Sequence, residues 1–235
     1  FRTTRSAALR FQSGEFVMIG LPDGAKPIFR AYSITSPTWD EELEFYSIKV
    51  PDGPLTSKLQ KVKIGDPLLI RKKSSGTVIL DTLTPGKNLY MLSTGTGIAP
   101  FASLVREPET YERFNRVILT HTCRLKAELS YGYHVVESAH TDPLVGEAAK
   151  SKLTHVATTT RENSDISGRI TALVKSQQLF SILNCKQFDP IDDRIMVCGS
   201  MALIKDLKAI LSNLGFKEGS HREPGSFVVE RAFVD

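Results

Sequence analysis

From residue 86 onward the chain alternates strand and helix four times, and few folds accept that rhythm. "LYMLST" is followed by "PFASLVRE", "RVILTHT" by "AELSYGYHVVESA", "LTHVATTT" by "ITALVKSQQLFSIL", and "RIMVCG" by "MALIKDLKAILSNLG". Strands separated by helical stretches read as a doubly wound parallel sheet. "SFVVERAFV" then closes the sheet as a last strand.

The first third has a different texture. "EFVMIG", "RAYSIT", "LEFYSIKV", "DPLLIRK" and "TVILD" are rich in β-branched and aromatic residues and are separated by Pro, Gly and Asp. Strands with little helix between them predict an antiparallel barrel or sandwich. One short helix is expected over "LTSKLQKV", after Gly53-Pro54, and the turn-rich "TPGK" marks a boundary. The organisation expected is an antiparallel β-barrel domain over 1–85 and a parallel-sheet α/β domain over 86–235. "FRTTRSAALRF" reads as the middle of a strand at a start with no Met and no signal-type segment, so further residues are expected upstream.

The turn in "NLYMLSTGTGIAPFASL" lies between the first strand and first helix of that second part. Gly95 and Gly97 supply two glycines of a G-x-G-x-x-G fingerprint, but Pro100 stands where the third belongs. Two readings stay open on this stretch alone: a loop that presents amides to a phosphate, or a tight turn with no ligand. Its place after the first strand of an α/β unit favours phosphate.

Charge and cysteine content exclude several classes. There are 30 basic and 26 acidic side chains, a net +4, too mild for a nucleic-acid binder. That balance still permits a basic patch for an acidic partner. Arg71-Lys72-Lys73 is the densest candidate, although on sequence alone it reads more readily as a solvated strand end. Cys123, Cys185 and Cys198 lie far apart, which excludes a four-cysteine cluster or zinc site built from this chain alone and points to a reducing compartment. No apolar run approaches the ~20 residues of a membrane span.

Four short signatures occur in a fixed order: "RAYS", then "YSIKV" with "GPLTSKL", then "GTGIAP", then "VCGS". Together they resemble the plant-type ferredoxin–NADP reductase superfamily, most closely its bacterial ferredoxin/flavodoxin–NADP reductases, over nearly the whole chain. The resemblance implies FAD in the barrel, NADP(H) in the α/β domain, and hydride exchange followed by single-electron exchange with ferredoxin or flavodoxin.

For FAD it implies Arg30, Ala31, Tyr32 and Ser33, with Tyr32 as a stacking face and Arg30 on the pyrophosphate. It adds Tyr46, Ser47, Ile48, Lys49 and Val50 along the adenosine side, Gly53, Leu55, Thr56 and Ser57 at the helix start, and Thr96. The C-terminal Ala232, Phe233, Val234 and Asp235 are expected to cover the flavin. For NADP it implies Thr94, Gly95, Thr96, Gly97, Cys198 and Gly199. Arg124, Arg161 and Arg169 would hold the 2′-phosphate, where an NAD enzyme would carry a carboxylate. Ser33, Cys198, Glu230 and Ala232 would flank the reacting ring.

The resemblance further implies a cytoplasmic monomer with an acidic electron carrier as partner, and without metal, nucleic acid or membrane. Two alternatives remain: a reductase component for another acceptor, such as an oxygenase or haem protein, and a nucleotide-binding regulator without turnover.

Overall fold

The computed structural model describes residues 1–22, 27–50 and 53–232. Five short strands come first: β1 (Arg2–Thr4), β2 (Phe16–Gly20), β3 (Phe29–Ser33), β4 (Glu42–Glu44) and β5 (Leu69–Ile70), with helix α1 (Thr56–Leu59) between the last two. They form two antiparallel sheets, β1-β4 and β3-β2-β5. A single bridge between Ile34 and Phe45 joins them. Val17, Ile19, Tyr32, Ile34, Leu43, Phe45 and Leu55 fill the space between the sheets.

The second part alternates as its sequence does. It comprises β6 (Asn88–Thr94), α2 (Ala99–Leu104), α3 (Pro108–Arg113), β7 (Arg116–Cys123), α4 (Ser130–His140), α5 (Gly146–Lys152) and β8 (Leu153–Thr159). It continues with α6 (Ile170–Lys175), α7 (Gln178–Ile182), β9 (Asp193–Gly199), α8 (Met201–Asn213) and β10 (Phe227–Arg231). The five strands form one parallel sheet in the order β10-β9-β6-β7-β8. Successive side chains of a strand face opposite sides, so Leu89 and Met91 enter one core with Phe101, Leu104 and Val135. Tyr90 and Leu92 enter the other with Ile170, Leu207 and Leu211. Strands covered on both faces need apolar residues throughout, and β9 is buried along its whole length.

Three sequence expectations are corrected. "TVILD" is not a strand: Val78, Ile79 and Leu80 are all buried, and a 3₁₀ turn begins at Leu80. Thr82 Oγ donates to the carbonyls of Ile79 and Thr77, which turns the backbone away from a ladder. "LEFYSIKV" is extended only at its start, because 46–50 leave the sheet. "ITALVKSQQLFSIL" is two helices: Gln177 is left-handed at φ 63° and breaks it.

The two halves meet through polar contacts. Glu107 accepts from Ser13 Oγ at 2.8 Å and Thr38 Oγ1 at 2.9 Å, and the Gly14 amide donates to Ser103 Oγ at 2.9 Å. Arg106 lies over the Trp39 ring at 5.1 Å and pairs with the buried Asp142 at 2.9 Å. Val78, Leu80 and Leu83 precede residue 86 yet pack into the core beneath α2 and α4.

Candidate active site

The candidate crevice is the one at the carboxyl ends of β6, β7, β8 and β9, the place where open α/β sheets hold ligands. Its centre is the turn from Gly95 to Ile98. Gly95 has φ +54°, and a Cβ there would meet no atom within 4 Å, so the outer side of the turn is free. Gly97 is held for the opposite reason: a Cβ would lie 2.1 Å from the carbonyl oxygen of Cys198. The turn therefore lies directly on the end of β9. Thr94 Oγ1 accepts from the Ser200 amide at 3.1 Å, and the Ala232 amide donates to the Gly199 carbonyl at 3.1 Å. "GTGIAP", "VCGS" and the last described residues are thus one assembly. The Thr96 hydroxyl is buried there without a partner among the described residues.

Behind the turn stands His121 on β7, fully buried. Its Nε2 lies 2.9 Å from the Gly95 carbonyl and 3.1 Å from Cys123 Sγ. Burial pushes the imidazole down to about 4 and the Cys123 thiol up to about 12, with the Glu128 carboxylate adding to the latter. Both groups are neutral across the physiological range.

The three sequence-predicted arginines gather at one end of the sheet. Arg124 follows β7 and Arg161 follows β8, and the Arg161 amide donates to the Arg124 carbonyl at 3.0 Å. Arg169 caps α6 directly after Gly168, whose amide bonds to the Thr159 carbonyl at 2.8 Å. All three side chains are exposed. Among the described residues none of their guanidinium groups is paired. Unpaired cations at strand ends suit a dianionic phosphate.

Glu230 and Cys198 are in register across the β9–β10 pair. Glu230 accepts from the Thr77 amide at 2.9 Å. Burial pushes its carboxyl up to about 7, against that hydrogen bond and with a contribution from Glu15. Cys198 is 1% exposed; burial first, then Glu230, raises its thiol well above the ordinary range. It stays protonated, suited to packing or donating and not to nucleophilic attack. Ser33 reaches this corner through the backbone: it pairs with Phe16, which also bridges Ser75, two residues before Thr77.

On the barrel side, "RAYS" and "YSIKV" meet at Tyr32 and Ser47, whose hydroxyls are 3.5 Å apart. Tyr32 is more enclosed than an open stacking platform: it is 9% exposed and packs with Val17 and Ile34. Arg30 and Ala31 are exposed on β3. Thr56 Oγ1 donates to the Val50 carbonyl at 3.1 Å, and the Ser57 amide to Gly53 at 3.0 Å, so α1 is fastened to the end of "YSIKV". Ile48, Lys49 and Val50 are exposed, while the Leu55 side chain belongs to the core and could offer a ligand only its backbone. Tyr46 stacks on Tyr131 of α4, with centroids 3.9 Å apart and planes within 2°. Ala232 is partly buried beside Gly199; Phe233, Val234 and Asp235 lie outside the described residues.

The chain is 57% identical over 235 residues to the flavodoxin/ferredoxin–NADP reductase of Rhodobacter capsulatus, covering 100% of this chain and 87% of that one. It belongs to the flavodoxin/ferredoxin–NADP reductase family. It is also 48% identical to the ferredoxin–NADP reductase of Azotobacter vinelandii, covering 100% of this chain and 92% of that one. Residues 91–209 match the oxidoreductase NAD-binding domain family. Among solved structures, the ferredoxin NADP+ reductase of Neisseria gonorrhoeae with bound FAD and NADP superposes with a TM-score of 0.88 at 31% identity, over 99% of this chain and 92% of that one. The reductase has no helix, among its described residues, that is long and apolar enough to cross a membrane.

Sequence reasoning overlooked His121, Thr77 and Tyr131. "THTC" does carry a histidine two residues before a strand-end cysteine, which places both on one strand face; the contact with Gly95 appears only in the fold.

Proposed function

We propose that this reductase moves electrons between NADP(H) and a ferredoxin or flavodoxin through FAD, with the two nucleotides held on either side of the β9 and β10 ends. One observation carries the reading: Gly97 abuts Cys198, Cys198 is in register with Glu230, and Glu230 binds Thr77 beside the barrel strands. This joins the glycine turn to the barrel at a single corner.

FAD, when bound, supplies the step between two-electron and one-electron chemistry. The chain's own residues divide the remaining work. Arg30, Tyr32, Ser47, Thr56 and Ser57 hold FAD, with Tyr46 and the exposed 48–50 segment along its adenosine side. The turn at 94–97 takes the NADP pyrophosphate, and Arg124, Arg161 and Arg169 take the 2′-phosphate. Cys198 and Gly199 form the floor on which nicotinamide rests. Glu230 and Ser33 orient it, and Glu230, whose carboxyl is held near pH 7, can give or take a proton there. Ala232 covers the flavin until nicotinamide displaces it.

The division at residues 85 and 86, a monomeric state and a cytoplasmic location belong to the same reading. Exposed Arg71, Lys72 and Lys73 border the docking face for the acidic carrier. The names of the relatives favour ferredoxin or flavodoxin over an oxygenase or haem acceptor.

A spectral titration tests this. The purified protein should carry a flavin spectrum, bleach with NADPH and recover when ferredoxin or flavodoxin is added. A folded protein that stays colourless with added FAD, or a flavin that NADPH leaves oxidised, overturns it.

A further inference from the structure

We propose that His121 is a positioning residue for the nucleotide pyrophosphate: from behind the glycine turn it holds the Gly95 carbonyl inward and so aims the Thr96 amide outward into the crevice. The inference rests on the reading that this turn takes NADP(H). It assigns to a fully buried side chain, one that touches no ligand, control over the atoms that do.

The geometry leaves little freedom. A carbonyl oxygen can only accept, so the proton of the neutral ring sits on Nε2, 2.9 Å from the Gly95 oxygen. Peptide units are planar, and no cis bond occurs among the described residues, so the Thr96 N–H points opposite to that carbonyl. An inward carbonyl therefore means an outward amide. Gly95 accepts this orientation because its φ is +54°.

The ring itself is tightly seated. Cys123 Sγ lies 3.1 Å from the same nitrogen and 3.6 Å from the Glu128 carbonyl, to which the thiol can donate. On the other side, α4 passes so close that a Cβ on Gly132 would lie 2.6 Å from Nδ1. Nδ1 has no partner among the described residues. A buried acceptor without a donor is unfavourable, and an apolar side chain would avoid it. What the histidine adds is the donor for Gly95.

The test compares FAD-loaded wild type with His121→Leu, His121→Gln and His121→Asn by calorimetric titration. Two probes are used: NADP+, and 2′-AMP, which carries the 2′-phosphate but no pyrophosphate. Losing the donor should weaken NADP+ roughly 10- to 100-fold and leave 2′-AMP within about 2-fold. Gln, whose amide can reach the position of Nε2, should return NADP+ to within about 3-fold of wild type. Asn is one bond shorter and should behave as Leu does, so it serves if the Leu variant does not fold. Unchanged NADP+ affinity in the Leu or Asn variant overturns the role of His121, as does equal weakening of both probes. Failure of wild type to bind NADP+ would instead remove the assignment of the turn itself.

Discussion

The amide of Thr77 donates to the carboxylate of Glu230 at 2.9 Å, across 153 positions of sequence. That bond alone would lower the carboxyl pKa. Burial outweighs it, and the value rises from 4.5 to about 7. The native state therefore keeps a proton that the unfolded chain has already lost between these values. Stability from this group is full below about pH 4.5 and is lost as pH rises through 7, by on the order of 3 kcal/mol at ~1.36 per pH unit. Melting temperature of the wild type should fall between pH 5 and pH 8, and Glu230→Gln should lack that component. Flavin reduction by NADPH should slow about 10- to 100-fold in the same variant. Identical pH slopes in both proteins would place the titrating group elsewhere.

On the proposed 2′-phosphate role of Arg124 and Arg169, neutralising both should remove two charge-assisted contacts, each worth roughly 1.5–3 kcal/mol. The Michaelis constant for NADPH should rise at least ~100-fold, while NADH, which lacks the phosphate, should be nearly unchanged. Parallel losses for both nucleotides would count against a 2′-phosphate role.

Arg71 lies over the Phe29 ring at 4.6 Å, so its removal disturbs packing as well as charge. Reversing Lys72 and Lys73 alone is the cleaner experiment. Electron transfer to an acidic ferredoxin should slow steeply at low ionic strength and converge with wild type in high salt. Ferricyanide reduction should not change. A shared slowing with both acceptors would point to damage at the flavin.

Asp142 has no exposed side-chain surface and pairs with Arg106, which is itself only 17% exposed. The carboxylate also accepts from the Leu144 amide at 2.9 Å. Asp142→Ala should therefore cost about 3–5 kcal/mol by stranding the guanidinium under Trp39. A urea midpoint unchanged from wild type would show that Arg106 finds water on release.

The alternating half was legible because both faces of its sheet are covered: a strand such as β6, whose Leu89–Leu92 are all buried, can hardly read otherwise. The barrel half was legible only in part. "TVILD" has the composition of a strand, but Thr82 and Glu230 take up its backbone groups from outside any ladder. Gln177 sits within a convincing helical pattern, and nothing in its identity announces a left-handed residue. Helices α3 and α5 fall in stretches that the strand–helix alternation leaves unassigned, although Pro108 with Glu109 in the first turn is a recognisable start. The glycine turn, Cys198 and Glu230 carry motifs that survive in sequence. The dependence of Gly95 on His121 does not, since it joins residues 26 apart through a buried contact.

The bond from Thr77 to Glu230 also sets a schedule. At 5–20 residues per second, the ribosome delivers Glu230 roughly 8–30 s after Thr77. Over that interval Val78, Leu80 and Leu83 lack Val228, one of their partners in the finished core. Until then the nascent chain carries an apolar strip ahead of a sheet still missing β10. Completion of that core, and of the corner where Glu230 meets Thr77, is thus among the last events that the order of synthesis allows.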